Sequence, residues 1–279
     1  MINKNFTITA HCLVKSEERF IGYSIRSVIG YMDKVLIFDT GSTDKTIEII
    51  QELIKEYPDK IIFERKDECD KIKLQHYKQE MLKKTNTDWF MILDGDEVWS
   101  KAGIEEAIRT IQENKGKIDC VGADIFLCIG DIFHDHNRKL VAKINGIKQL
   151  VLTRFCKIIP GMRWVWNERA SDGFLYAGDK IVWENPGRIM ILKNKFWHVT
   201  NLRRSSVGDD IHSSNSLLAN RGSKIRSTYF LVGEKIKEEV PEVFDENFKN
   251  SNRLGFLRSF LNFWPFLMMQ IKKKYVNFG

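Results

Sequence analysis

Two carboxylates one residue apart, Asp94 and Asp96, follow directly on the apolar run Trp89-Phe90-Met91-Ile92-Leu93, with only Gly95 between them. Acids this close repel each other unless a cation lies between them. Hard divalent ions such as Mg2+ bind through one or two carboxylates together with substrate phosphates. An Asp-x-Asp triplet alone is common in surface turns; the run in front of it gives it weight. That run suits a buried strand of an α/β sheet, and open α/β sheets bind ligands just past the carboxyl ends of their strands. Gly95 lets the backbone turn sharply and approach a ligand.

The elements that must position this pair are legible on either side. Val35-Leu36-Ile37-Phe38 is a second apolar run. It ends in Asp39-Thr40-Gly41-Ser42-Thr43-Asp44-Lys45-Thr46, and Ile47, Ile49, Ile50, Leu53 and Ile54 follow at helical spacing. This is strand, polar loop and helix start. Ser42, Thr43 or Asp44 can cap the helix, whose exposed N–H groups favour an anion. Asp39 ends its strand as Asp94 ends its own and could accept hydrogen bonds from a base or ribose. Residues 6–14 read as a further strand ending at Val14, and Lys15-Ser16-Glu17-Glu18-Arg19 as a helix opening with acids in its first turn. Three β–loop–α units thus place Glu17, Asp39, Asp94 and Asp96 on one sheet edge. We expect Asp39, Asp94 and Asp96 to gather around one cation.

The run Leu13-Val14-Lys15-Ser16-Glu17-Glu18, the segment Val35 to Thr46 and the segment Asp88 to Glu97 together resemble the family 2 glycosyltransferases over roughly residues 6 to 100. The resemblance implies a GT-A, Rossmann-like α/β fold with a mixed, mainly parallel sheet flanked by helices. It implies an inverting enzyme that uses nucleotide-diphosphate sugars and a divalent cation, Mn2+ or Mg2+. By resemblance Asp39 and Asp94 contact base and ribose, Asp96 binds the metal, and Val14 and Glu17 lie near the nucleoside. Ser16 stands where the family usually has Asn. Residues 70–84 read as a helix with Ile72, Leu74, Tyr77 and Met81 inward; its Lys78-Gln79 occupies the register of a family Arg-Asn pair, so Lys78 keeps a cation near the nucleotide.

The second half must supply the acceptor site and a base, because an attacking hydroxyl has to lose its proton. Thr153-Arg154-Phe155 and Arg163-Trp164-Val165-Trp166-Asn167-Glu168 form an aromatic, cationic segment ending in an acid. Tryptophan faces suit pyranose rings. Related sequences carry an acid after a similar segment, commonly as His-Glu, which implies Glu168 as base, with Asp172 as the second choice and a structural ion pair to Arg163 or Arg169 as the plain alternative. His198 ends the run Lys195-Phe196-Trp197-His198. A lone His is usually structural, but the resemblance makes it a third metal ligand, with Arg203 and Arg204 as forked donors to the diphosphate. Residues 102–113 read as a helix and 120–129 as one strand. His134-Asp135-His136 sits among polar neighbours and reads as a loop rather than a metal site.

The 279 residues, 43% hydrophobic with a net charge of +7, describe a globular protein. We divide them into a catalytic domain at 1–204, with a nucleotide-sugar half at 1–100 and an acceptor half at 101–204, and a helical extension at 205–279. The five cysteines form no C-x-x-C pair and read as reduced, buried thiols of a cytoplasmic protein. The opening residues do not read as a signal peptide, so none is expected, and no run supplies the ~20 apolar residues that a membrane helix needs. Residues 252–279 hold Arg253, Arg258 and Lys272-Lys273-Lys274 with no acid, which is +5 of the total +7, and seven aromatic residues. Such a segment suits the interface of an anionic membrane, or packs on the catalytic domain or a second copy. With the remainder nearly neutral, nucleic acid binding is excluded. The expected acceptor is a glycan, lipid-linked molecule or protein. The alternatives are a nucleotidyltransferase, which would want a Gly-rich loop after the first strand where Leu13 to Glu17 has none, and a non-catalytic nucleotide- or sugar-binding module.

Overall fold

The structure is a computed structural model and describes residues 4–135, 142–144, 147–149, 151–167, 170–206 and 234–251. The first half alternates β1 (Ile8–Val14), α1 (Ile21–Val28), β2 (Lys34–Asp39), α2 (Thr46–Glu56), β3 (Ile61–Arg65), α3 (Lys71–Lys83) and β4 (Trp89–Asp94). There follow β5 (Glu97–Val98), α4 (Lys101–Glu113), β6 (Cys120–Ala123), β7 (Ile125–Ile129), β8 (Asp131–Asp135), β9 (Ala142–Ile144), β10 (Ile147–Gln149), β11 (Leu152–Lys157), β12 (Arg163–Asn167), β13 (Ala170–Ala177), β14 (Lys180–Ile181), β15 (Ile189–Ile191), β16 (Phe196–His198) and β17 (Glu234–Lys235), then a short helix, Glu246–Ser251.

Seven strands form the main sheet in the order β15-β6-β11-β4-β1-β2-β3. Strand pairs β1–β2, β1–β4, β2–β3 and β6–β15 are parallel, whereas β11 runs antiparallel to both β4 and β6. The sheet is therefore mixed and mainly parallel, as expected. Its central strands are apolar on both faces because helices or strands cover both. Side chains alternate across a strand: Ile8, Ala10, Cys12 and Val14 join Val35, Ile37, Met91 and Leu93 in a core under α1, α2 and α4. On the opposite face Leu36 and Phe38 meet Met81 and Tyr77 of α3, and Phe90 and Cys156 meet Trp164 and Leu175 of the β12–β13 hairpin. A second sheet, ordered β17-β8-β7-β16-β5, ties Glu97 to His198.

Several expectations need correction. No helix opens at Lys15: α1 begins at Ile21 with no acid in its first turn, because Glu17 and Glu18 are used by the site loop described below. Ile72 does not face inward but is 63% exposed; it lies in the first turn of α3, where the Asp70 cap accepts from the Ile72 and Lys73 N–H groups at 3.0 and 2.8 Å. Residues 120–129 form two strands rather than one, broken at Asp124, whose carboxylate accepts from the Ile125 N–H at 2.9 Å and pairs with Lys195 at 2.7 Å. His134 is bound to the buried Asp131 at 2.7 Å, and Asp135 accepts from the Leu127 N–H at 3.0 Å, so these residues form β8, between β7 and β17, rather than a loop; His136 lies outside the described residues. The thiols of Cys12, Cys120, Cys128 and Cys156 are free and buried, and that of Cys69 is free and half-buried. Of the extension, residues 234–251 pack through Phe244 and Phe248 on Tyr23 and through Phe248 on Phe20. The basic tail lies outside the described residues. No helix among the described residues is long and apolar enough to cross a membrane.

His11, in the middle of β1, makes a pH-dependent contribution. The Thr85 hydroxyl donates to the Met81 carbonyl at 2.8 Å, so it must accept from His11 Nε2–H at 2.5 Å, which sets the tautomer. The ring stacks on Phe90 at 4.8 Å. Burial lowers its pKa from 6.5 to about 3. Above pH 6.5 the ring is neutral in both the native and the unfolded chain. Below it the unfolded chain takes up a proton that the native chain refuses, so stability is lost as pH falls toward 3. Between pH 7 and pH 5 this amounts to about 2 kcal/mol at 1.36 kcal/mol per unit. His11→Gln, which keeps the donor, should flatten that part of the pH–stability curve in urea denaturation; an unchanged slope would remove His11 as its source.

Candidate active site

The register of the central strands sets the geometry. Asp39 is level with Val14 across β2–β1, and Asp94 is level with Leu13 across β4–β1. The three strand ends therefore share one edge. Here the chain is tied down by its own loops. The Val14 carbonyl accepts from the Thr40 N–H at 2.9 Å and from the Thr40 hydroxyl at 3.1 Å. Asp44 accepts from the Thr46 N–H at 3.0 Å in a turn just ahead of α2; the N-cap residue is Lys45, so none of Ser42, Thr43 and Asp44 is the side-chain cap expected. The Thr46 hydroxyl in turn accepts from the Glu17 N–H at 2.8 Å, and Ser42 Oγ accepts from the Ser16 N–H at 2.8 Å. Ser16 has φ +54, a left-handed conformation that costs an ordinary L-residue roughly 1 kcal/mol and that Asn tolerates better. The departure from Asn at this position is thus a matter of backbone strain.

Asp94, Asp96 and His198 each offer one ligating atom, and these atoms all lie within 4.8 Å of one another. His198 reaches the pair because β16 runs antiparallel to β5, with His198 opposite Glu97. The Ser24 hydroxyl donates to the Asp94 carbonyl at 3.0 Å and the Val199 N–H to the Asp96 carbonyl at 2.9 Å, which pins the turn from both sides. Gly95 does not adopt a positive φ. It is needed for close approach: a Cβ there would meet Glu17 Cγ at 3.0 Å.

Two buried arginines hold the acids. Arg204 donates to Glu17 at 2.5 Å and to Asp96 Oδ2 at 2.8 Å. Arg154 donates to both oxygens of Glu97, from Nε at 3.1 and 2.9 Å, and to Asp94 Oδ2 at 3.2 Å. Among the described residues, four carboxylates (Glu17, Asp94, Asp96, Glu97) face two guanidiniums. When all are ionised the surplus is two negative charges, which one divalent cation matches. Burial pushes the Glu97 carboxyl up to about 7, Arg154 opposing and Asp94 adding to the rise. Burial works to lower the His198 pKa, but the charge of Asp96 and its hydrogen bond, with Glu97 and Asp94 behind, raise it above 6.5. His198 Nε2 stands 3.5 Å from Asp96 Oδ1, while its Nδ1 is buried with no partner among the described residues. Two hard oxygens and an imidazole suit Mn2+ or Mg2+.

The glycosyl transferase family 2 model matches residues 13–170, more than half of the chain. The chain belongs to glycosyl transferase family 2. It is thereby a glycosyltransferase in class, and its mixed sheet is the GT-A arrangement expected. No curated protein matches it in sequence. Among solved structures it is similar to S. aureus TarS 1-349 in complex with UDP, at 14% identity and TM-score 0.49, covering 80% of this chain and 70% of that one. The mannosyltransferase PcManGT from Pyrobaculum calidifontis, in complex with GDP-Man and Mn2+, is 15% identical at TM-score 0.38, covering 55% and 44%. Glucosyl-3-phosphoglycerate synthase from Mycobacterium tuberculosis, with Mn2+, UDP-glucose and phosphoglyceric acid, is 16% identical at TM-score 0.32, covering 43% and 44%. The chain spans 43% of a longer TarS structure.

Measured against the family pattern, the structure sorts the expected residues. It brings Asp96 and His198 together and adds Asp94 to them. Glu17 sits beside them, its carboxylate on Arg204. Asp39 does not join this cluster. Its carboxylate accepts from the Gly41 and Ser42 N–H groups at 3.1 and 3.0 Å and from the Ser42 hydroxyl, so it shapes its own loop, where Gly41 at φ +95 makes the turn. The Lys78 ammonium lies over the Trp164 ring, 4.9 Å from its centroid, while Gln75 and Gln79 bind the Trp164 backbone at 2.6 and 2.7 Å; this face of α3 holds β12. The Arg203 guanidinium donates to the Ser205 and Ser206 carbonyls at 3.1 and 3.2 Å. It borders a cleft of about 530 Å3 with Glu18, Arg19, Lys45 and Ile49. Glu168 lies outside the described residues, and nothing is described of the Asp172 side chain. Glu97 and the role of Arg154 were not foreseen. A charged residue inside the apolar run 151–156 was the available signal, since Arg is almost never buried unless paired.

Proposed function

We propose that this protein transfers a sugar from a nucleotide-diphosphate sugar to an acceptor hydroxyl with inversion, assisted by a divalent cation held by Asp94, Asp96 and His198. The observation that carries the reading is the convergence of these three ligands at the carboxyl edge of the sheet. A cation held by these residues would supply positive charge against the departing nucleotide diphosphate. The chain's own residues do the rest. Arg204 holds Asp96 by one oxygen and supports the same charge from the protein side. Val14, Glu17, Asp39 and Asp94 border the nucleoside and ribose. Lys78 and Arg203 are the outlying cations of the donor site. Glu168 takes the proton from the acceptor hydroxyl as it attacks the anomeric carbon in a single displacement. The acceptor we propose is a glycan, a lipid-linked molecule or a protein, with the basic aromatic segment 252–279 meeting an anionic membrane surface.

Calorimetry with UDP and GDP, with and without Mn2+, tests the reading. Metal-dependent diphosphate binding, followed by metal-dependent turnover of a nucleotide sugar, is the expected result. A preference for triphosphates with pyrophosphate release would replace transfer of a sugar by transfer of a nucleotide, and metal-independent binding without turnover would leave a binding module.

A further inference from the structure

We propose that Arg154 is a positioning residue for the metal site: braced on the buried carboxylate of Glu97, its guanidinium holds Asp94 in the orientation in which Asp94, Asp96 and His198 share one cation. This rests on the metal-dependent reading above and adds a residue that the motif does not contain.

Arg154 is the extra residue of a β-bulge. Along β11, Thr153 opposes Gly122 and Phe155 opposes Val121, so two steps on β11 match one on β6. A bulge re-aims a side chain out of strict alternation, and bulges collect beside active sites. Here Phe155 stays in the core at 0% exposure while Arg154, 8% exposed, reaches the acids. Its Cζ lies 5.7 Å from the centroid of the buried Phe196 ring, which limits movement on that side. Glu97 is fully buried and takes Nε through both oxygens. A salt bridge that only fastened β5 to β11 would be complete at that point. Nη2, which also donates to Glu97 Oε1, reaches on to Asp94 Oδ2 at 3.2 Å, and the Asp94 side chain is 45% exposed. An exposed carboxylate exchanges rotamers freely; a planar fork fixed at its other prong removes that freedom in a way a lysine ammonium does not. Groups that orient metal-binding side chains from behind typically change metal affinity ten- to a hundredfold when replaced.

The test is Mn2+ affinity, titrated into metal-free protein in the presence of UDP or GDP, together with thermal midpoints. Arg154→Lys keeps the charge and loses the fork. Arg154→Met combined with Glu97→Gln removes both buried charges, so that no uncompensated ion is left to destabilise the fold. We expect Mn2+ affinity to fall about tenfold in the lysine variant and roughly ten- to a hundredfold in the double variant, with the double variant melting near the wild type. A folded variant of either kind that binds Mn2+ as the wild type does would overturn the role of Arg154 alone. Wild-type protein that takes up no Mn2+ with either nucleotide would overturn the metal reading and this proposal with it.

Discussion

Asp96→Asn is expected to lower sugar transfer by about a thousandfold, the range seen when a preorganised charge contact or metal contact to the reacting group is lost. The substitution keeps the shape of the turn. The Asp96 carbonyl still accepts from Val199, and Arg204 keeps its contact with Glu17. What changes is the charge: the site loses one carboxylate of four, and the surplus that matches a divalent cation falls by one. Asp96→Ala also strips a buried partner from Arg204, so it should lose activity to a similar extent and melt lower. Nucleotide-sugar turnover and circular dichroism on both variants check this. Wild-type turnover in a folded Asp96→Asn protein would take Asp96 out of the mechanism.

Glu168→Gln should separate binding from chemistry. A side chain that accepts the acceptor's proton acts only in the transfer step, and such groups typically contribute about a hundred- to ten-thousandfold. We expect the variant to bind donor diphosphate with Mn2+ as the wild type does, by calorimetry, and to lose transfer by that factor. Its amide occupies the same volume but accepts no proton. Loss of donor binding would instead make Glu168 part of the donor site or of the fold. Unchanged transfer would move the base elsewhere, with Asp172 the first position to examine.

The two variants probe parts of the protein that were unequally legible. The strand ends that place Asp39, Asp94 and Asp96 follow from local patterns, because a short continuous apolar run with a polar stop marks a buried strand whatever its neighbours are. The strand at 35–38 follows from the same short-range rules, whereas the expected side-chain cap of α2 does not form, Lys45 being its N-cap residue. The opening of α1 did not: acids at 17 and 18 favour a helix start locally, but tertiary partners claim them. Glu17 is held by Arg204, 187 residues away, and Glu18 accepts from the Lys45 N–H at 3.0 Å. Ile72 shows the reverse case, an apolar residue at helical spacing that lies exposed in the first turn.

What the sequence determined by itself was the class of fold, the family and the edge of the sheet where the acids lie, because apolar runs, turn chemistry and three ordered motifs are written in neighbouring residues. Only the tertiary structure decided which acids meet. Strand β5 pairs with β16 across 101 positions, from Glu97 to His198, and that pairing brings His198 to the acid pair. The bulge in β11 delivers Arg154 to Glu97 and Asp94, while Asp39, equally well placed at its strand end, turns back to its own loop. Strand register, bulge placement and the direction of a buried guanidinium depend on contacts between segments far apart in the chain, so no local pattern carries them.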